Sequence, residues 1–139
     1  MKNYFQTVFE IIRTGHWITD SISKELKEYN IYEPQYNVLR VLKAADGKPV
    51  SVNEILDQMV QKSSNVTRIV DKLTDKGLAE RTLSEVDRRK MDIVITKKGE
   101  ELLAVLDKKV YSFHKPMMHN LTDEETETLR QLIKKLKGS

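Results

Sequence analysis

The chain has 139 residues, of which 39% are hydrophobic and 32% charged, with only five glycines and three prolines. This composition is too apolar for a disordered chain and too poor in glycine and proline for a loop-rich scaffold, so it predicts one helix-rich domain over residues 1–139. The absence of cysteine excludes disulfides, thiolate metal sites, iron–sulfur clusters, thiol redox sensing and cysteine nucleophiles.

The positive charge is concentrated in the middle of the sequence. Residues 62–98 contain ten Lys and Arg against six Asp and Glu, an excess of four, whereas residues 1–61 carry a balance of −1 and residues 99–139 are neutral. A basic segment between neutral flanks is typical of a surface that binds a polyanion, although a solvated charged face gives the same pattern.

No stretch of the sequence is long and apolar enough to cross a membrane. Glu10 also lies where a signal peptide would need its apolar run. We therefore expect a cytoplasmic protein with no membrane partner.

The first half of the sequence predicts three helices. Apolar residues three and four positions apart indicate an amphipathic helix over residues 4–29. Pro34 fits the first turn of a second helix that ends near Gly47, and residues 48–50 favour a short extended segment. Ser51 is a good N-cap for a short third helix.

The fourth predicted helix has the most clearly assigned faces. Its apolar residues are spaced i, i+3, i+4 and i+7, and Gly77 supplies the left-handed stop. We expect Ser63 or Ser64 to cap its start. The polar face opposite the apolar one is formed by Ser64, Arg68, Asp71, Lys72 and Asp75.

After Gly77 the periodicity changes from helical to extended. Residues 78–83 and 91–95 are predicted strands, and the highly charged residues 84–90 form the tip of the hairpin between them.

Two helices are predicted after the hairpin. Thr96 or the residue beside it begins a long helix that runs to Pro116. Thr122, three residues before Glu125, caps the last helix.

This order of elements predicts a mainly α fold with a small β-hairpin wing, that is, a winged helix-turn-helix that binds double-stranded DNA. The second helix of such a motif lies in the major groove with its N-terminal residues at base edges, and the wing can contact the backbone and the minor groove. The residues that suit these roles are Ser63, Ser64, Asn65, Thr67, Arg68 and Lys72 on the helix, and Arg88, Arg89 and Lys90 on the wing.

Four runs of the sequence closely resemble the multiple antibiotic resistance regulator (MarR) family, and the resemblance extends over essentially the whole chain. These runs are residues 65–73, 76–81, 87–90 and 95–99. The resemblance implies an obligate homodimer that binds a pseudo-palindromic operator, usually to repress, and that is released by small ligands or oxidants. It also implies that Asp87 orients the wing and Arg89 reaches the minor groove. The peroxide-sensing subfamilies use cysteine, which this chain lacks.

The terminal helices support a dimer on physical grounds. We expect residues 34–98 to form the DNA-binding core, which is too small to cover the apolar faces of residues 1–30 and 100–139. Burial of these faces against a second copy is the simplest solution. The faces contain Tyr4, Phe5, Phe9, Trp17, Leu129, Leu132, Ile133 and Leu136.

The aromatic and histidine residues have two interpretations each. His16, Trp17, Tyr36 and Tyr111 are candidates for binding a small aromatic or phenolic ligand, and ordinary packing is the alternative. The histidines could make the protein a zinc-responsive regulator, but His114 and His119 are five residues apart with Pro116 between them. The prediction is therefore no metal site and no cofactor.

Two other classes of function are weakly supported. An enzyme would need a nucleophile beside a base, and Ser63 and Ser64 have no histidine near them in the sequence. A winged module that contacts only proteins would be expected to have an uncharged wing, whereas Arg68 and residues 87–90 indicate DNA binding.

Overall fold

The computed structural model describes residues 1–62 and 64–139. It confirms the predicted mainly α fold with a small wing. A short 3-10 turn, Lys115–Met117, follows the fifth helix. The elements in chain order are α1 (Lys2–Lys27), α2 (Glu33–Ala44), β1 (Val50–Ser51), α3 (Val52–Asp57), α4 (Val66–Asp75), β2 (Ala79–Leu83), β3 (Met91–Ile95), α5 (Lys97–His114) and α6 (Asp123–Lys137).

The sheet contains the two predicted wing strands and a third strand, β1, which lies at the predicted short extended segment. Its order is β1-β3-β2, with both pairings antiparallel. Val50 lies opposite Ile93, and both side chains are buried. The extended segment before α3 therefore joins the sheet because its valine completes the buried face, and this contact ties the wing to the helical core.

Side-chain caps define where the helices begin. The hydroxyl groups of Ser51 and Thr96 each accept a hydrogen bond from the backbone N–H three residues later, at 3.1 and 3.0 Å. Thr122 and Glu125 form a reciprocal capping box at 3.1 and 2.9 Å. These three caps match the predictions.

The predicted cap of α4 is wrong. Asn65, not Ser64, caps the helix, because its Oδ1 accepts a hydrogen bond from the backbone N–H of Arg68 at 3.2 Å. Ser64 lies one residue too early, and its carbonyl instead accepts a hydrogen bond from Val66 N–H at 3.1 Å. Ser63, the other candidate cap, lies outside the described residues.

The core lies between α2, α4, α5 and one face of the sheet. Its largest fully buried side chains include Leu39, Leu42, Ile55, Leu73 and Leu106. Burial of each leucine or isoleucine contributes about 1.5–3 kcal/mol to the free energy of unfolding.

The helices at the two ends of the chain remain largely outside this core. Leu26 is the one buried residue of α1, and none of α6 is buried. Phe5 is 65% exposed and Leu132 is 56% exposed. Much of the apolar surface of the N-terminal half of α1 and of α6 is thus uncovered in the single chain. No helix within the described residues combines the length and hydropathy that crossing a bilayer requires.

We expect Gly99→Ala to destabilise the fold, because α5 begins directly against the turn that precedes β2. A Cβ at this position would lie 2.1 Å from the carbonyl oxygen of Leu78 and 2.8 Å from Cγ1 of Ile95. Relief of this overlap requires backbone movement and should cost about 1–3 kcal/mol or more. Urea unfolding measures the effect. The exposed Lys97→Ala serves as the control, with an expected change within about 0.5 kcal/mol, and equal stability of the two variants would contradict the close packing.

Candidate nucleic-acid interface

Helix α4 separates its apolar and polar residues cleanly. Val66, Val70 and Leu73 are buried in the core. Asn65, Thr67, Arg68 and Lys72 are exposed, and Ser64 is half-buried beside them. The structure therefore brings the predicted residues of this helix together on one accessible surface, apart from Ser63, which lies outside the described residues.

An ion pair connects this surface to the wing. Asp71 projects from α4 and pairs with Arg81 on β2. The pair neutralises a carboxylate that would otherwise repel a polyanion beside Arg68. It also fixes the position of the strand that leads into the wing. Arg81 was not among the predicted site residues, because the sequence does not show that a strand residue lies next to the helix.

The tip of the wing is held by hydrogen bonds within its own turn. The buried hydroxyl of Ser84 accepts bonds from the backbone N–H groups of Val86 and Asp87, at 3.3 and 3.2 Å. Lys90 N–H donates to the carbonyl of Asp87 at 2.9 Å. The tip therefore has a defined conformation although its charged side chains point into solvent.

Asp87 organises the cationic end of the wing. Its Oδ1 accepts hydrogen bonds from both the backbone N–H and the Nε of Arg89, at 3.0 and 3.2 Å. These bonds hold the pKa of the Asp87 carboxyl below its usual value, so the group stays ionised near neutral pH. The side chain of Arg89 is 90% exposed despite this contact, and Arg88 and Lys90 are exposed beside it.

A groove of about 540 Å³ runs along α4 on the side that faces the start of α2. One wall carries Arg68, Lys72 and Lys76, which recur every four residues and so lie on one side of the helix. Tyr32 and Pro34 contribute to the opposite wall. Sequence reasoning missed Lys76, although its spacing from Arg68 and Lys72 predicts that the three share a face.

A second cavity, of about 460 Å³, lies between α2 and the last turns of α5. It contains two of the four predicted ligand-binding residues, Tyr36 and Tyr111. Arg40 and His114 add nitrogen donors to the aromatic walls, and the Arg40 guanidinium lies 5.7 Å from the centre of the Tyr36 ring. Helical spacing could have predicted both residues, because Arg40 is four residues from Tyr36 and His114 is three from Tyr111, and residues at these spacings share a helix face.

Tyr36 links the two helices that form this cavity. Its hydroxyl donates a hydrogen bond of 2.6 Å to Oδ1 of Asp107. Burial and this hydrogen bond raise the pKa of Tyr36 well above its usual value. The phenol therefore stays protonated and holds Asp107 in place beneath the cavity.

The other two predicted ligand residues lie elsewhere on α1. Trp17 is about half exposed and packs edge-on against Phe113, with ring centres 5.5 Å apart. His16 is exposed. Within residues 1–62 and 64–139, no three His, Asp or Glu side chains converge in an arrangement that could hold a metal ion.

Comparisons with known proteins agree with this architecture. The chain is 32% identical over 125 residues to the HTH-type transcriptional regulator PapX of Escherichia coli, covering 90% of this chain and 76% of PapX. It is 27% identical over 119 residues to the transcriptional repressor MprA of Escherichia coli K12, covering 86% of this chain and 68% of MprA.

Two solved structures share the fold over almost the full length. A MarR-like transcription regulator from Bacillus cereus ATCC 10987 superposes with a TM-score of 0.82 at 26% identity, over 99% of this chain and 98% of that one. CouR from Rhodococcus jostii RHA1, bound to p-coumaroyl-CoA, gives a TM-score of 0.80 at 25% identity, over 94% and 90% of the two chains. The MarR family model itself matches residues 30–90. The chain therefore belongs to the MarR family of winged-helix transcriptional regulators.

Proposed function

We propose that this regulator binds a pseudo-palindromic operator as a homodimer, represses transcription there, and is released by a small aromatic or phenolic ligand. The observation that carries the proposal is the shared exposed surface of α4 and the wing, on which polar and cationic side chains are held by hydrogen bonds and an ion pair. The name of MprA as a repressor at 27% identity supports the direction of regulation.

Uncovered apolar surface supports the homodimer. In α1, Tyr4, Phe5 and Phe9 are exposed, and in α6 Leu129 and Leu132 are exposed. A second copy would remove these side chains from water, at about 25 cal/mol for each Å² of apolar surface buried. We therefore assign dimerisation to residues 1–30 and 100–139, and DNA binding to residues 34–98.

The DNA-reading roles follow from the chemistry and position of each side chain. Arg68 is exposed near the start of α4, where a guanidinium can reach the O6 and N7 atoms of a guanine. Arg89 is held by Asp87 at the tip of the wing, which suits a guanidinium that enters the minor groove. The remaining proposed contacts are to phosphates or base edges and involve Ser63, Ser64, Asn65, Thr67, Lys72, Arg88 and Lys90.

The cavity between α2 and α5 supports release by a ligand. CouR, which shares the fold, is bound to p-coumaroyl-CoA. In this chain Arg40 and His114 could bind a carboxylate or phenolate while Tyr36 and Tyr111 contact the ring. A ligand there would contact both α2 and the last turns of α5, which lead to α6, so it could alter the angle between the DNA-binding core and the last helix.

Two alternatives from the sequence lead to different outcomes in the same experiments. A module that contacts only proteins would select no duplex from random DNA. A zinc-responsive regulator would change its operator affinity when a chelator is titrated, which the proposed ligand mechanism does not require.

Removal of residues 121–139 should abolish the homodimer, because it deletes the whole apolar face of α6. We expect monomers or aggregates, measured by sedimentation velocity at micromolar protein concentration. A monodisperse dimer of the truncated chain would show that α6 is dispensable for assembly.

Arg68→Ala and Arg89→Ala should weaken operator binding in different ways. Loss of Arg68 should weaken the free energy of operator binding by about 1–3 kcal/mol and relax the base preference at one position per half-site. Loss of Arg89 should weaken binding most on duplexes with A·T-rich flanks, where a narrow minor groove concentrates negative potential. Equilibrium binding to A·T-flanked and G·C-flanked duplexes tests both, with Lys90→Ala as the control that alters the salt dependence on either flank by the same amount. If Arg89→Ala loses the same affinity on A·T-flanked and G·C-flanked duplexes, the wing does not read the minor groove and contributes only electrostatic attraction.

Arg40→Ala should weaken binding of a phenolic carboxylate such as 4-hydroxybenzoate by about 10-fold to 150-fold, because a hydrogen bond to a charged group contributes roughly 1.5–3 kcal/mol. The chain has a single tryptophan, Trp17, which contacts Phe113 next to His114. Trp17 lies outside the cavity, so its fluorescence should respond to occupancy through Phe113 and His114. Lys43→Ala, on the same helix but outside the cavity, is the matched control. The same dissociation constant for both variants would place the ligand elsewhere.

A further inference from the structure

The C-terminal end of the recognition helix α4 is joined to the turn after α1 and to the start of α2 through the side chain of Lys76. The ammonium of Lys76 donates a hydrogen bond to the carbonyl of Asn30, in the turn that leaves α1. It also lies 3.4 Å from Oε1 of Gln35, in the first turn of α2. This contact spans 46 residues of sequence to Asn30, so it connects segments that are distant in the chain.

Both acceptors are fixed in place by the surrounding structure. Asn30 has a φ of 56°, in the left-handed region, where it terminates α1. Gln35 is buried, and its Oε1 also accepts a hydrogen bond from the backbone N–H of Tyr32 at 3.1 Å. The Lys76 side chain is half-buried, and burial, together with the nearby charge of Lys72, lowers its pKa. The ammonium is therefore held by rigid partners rather than moving freely in solvent.

The same end of α4 is also bonded to the start of α5. The carbonyl of Lys76 accepts a hydrogen bond from Nζ of Lys98 at 3.0 Å. The next carbonyl, of Gly77, accepts one from the Thr96 hydroxyl at 2.7 Å. Residues 76 and 77 thus contact the segment between α1 and α2 on one side and the start of α5 on the other.

These hydrogen bonds fix the orientation of α4, which burial of its apolar face does not do. Burial of Val66, Val70 and Leu73 keeps the helix on the core, but apolar contact is non-directional and permits small rotations and shifts along the helix axis. Hydrogen bonds depend strongly on distance and angle, so they fix these two degrees of freedom.

We propose that Lys76 is a positioning residue for DNA binding, which fixes the recognition helix relative to the dimerisation helices without itself contacting DNA. The inference rests on the proposed function, because a fixed helix matters only where two α4 helices must match two half-sites. Lys72, one turn earlier on the same side of α4, provides the contrast. It is exposed, and within the described residues its side chain makes no hydrogen bond or ion pair to the protein, as expected for a direct phosphate contact.

The test compares Lys76→Met with Lys72→Met on a duplex that the wild-type protein has selected from random DNA, between about 50 and 200 mM salt. The slope of log K against log salt is negative, and Lys72→Met should make it shallower by about one for each phosphate that is no longer neutralised. Lys76→Met should weaken binding by about fivefold to tenfold at every salt concentration and leave the slope unchanged. Lys76→Arg, which retains charged donors, should restore most of the affinity.

A second readout is specific to positioning. Insertion or removal of one base pair between the half-sites should weaken wild-type binding, and Lys76→Met should reduce this penalty because its α4 can adjust. Gln35→Glu keeps the acceptor oxygen and places a carboxylate opposite the Lys76 ammonium, so it should strengthen this contact and increase the penalty.

Three results would overturn the role proposed for Lys76. The first is a salt slope that falls for Lys76→Met as it does for Lys72→Met, which would make Lys76 a phosphate contact. The second is unchanged affinity and an unchanged spacing penalty in Lys76→Met. The third is an unchanged spacing penalty in Gln35→Glu. A wild-type protein that selects no duplex would instead overturn the proposed function, and the positioning role with it.

Discussion

A single chain of this protein carries apolar surface that it cannot bury by itself, and this limit governs how the other parts are arranged. The core is complete between α2, α4, α5 and the sheet, yet the aromatic residues of α1 and the leucines of α6 remain exposed. Exposure of such surface to water costs free energy, and a two-fold dimer would reduce this cost by covering the same face on both copies. That arrangement would set the distance between two recognition helices, which is the quantity that operator recognition requires.

Within the chain, polar interactions give the surface that we propose to face DNA a defined shape. Asp71 pairs with Arg81, so the helix and the wing are held together and one unfavourable carboxylate is neutralised. Asp87 holds Arg89 at the tip, and the Ser84 hydroxyl shapes the turn behind it. Arg89, one of the cations proposed to contact DNA, is therefore positioned by its neighbour Asp87 before DNA binds, which lowers the conformational entropy lost on binding.

Much of the fold was predictable because the sequence is locally consistent. Helical spacing, the Ser51, Thr96 and Thr122 caps and the Gly77 stop are short-range signals, and all of them agree with the structure. The features that the sequence did not predict are a choice between neighbouring residues and contacts between distant ones. Asn65 caps α4 although the serines before it have similar propensities, and β1 joins the sheet through Val50 and Ile93, which are far apart in sequence. Helical spacing could have pointed to Arg40, His114 and Lys76, but the cavity, groove and distant acceptor that give them a role arise only from tertiary packing.

The dependence of operator affinity on the distance between half-sites tests most directly whether the terminal helices set the spacing of the recognition helices. A dimer held by its terminal helices should bind best when the half-site centres are about one helical turn apart, roughly 10 base pairs, or a whole multiple of it. Affinity should fall sharply when half a turn is inserted, since one recognition helix would then face the wrong side of the duplex. Equal affinity at all spacings, or for a single half-site, would contradict a dimer of fixed geometry.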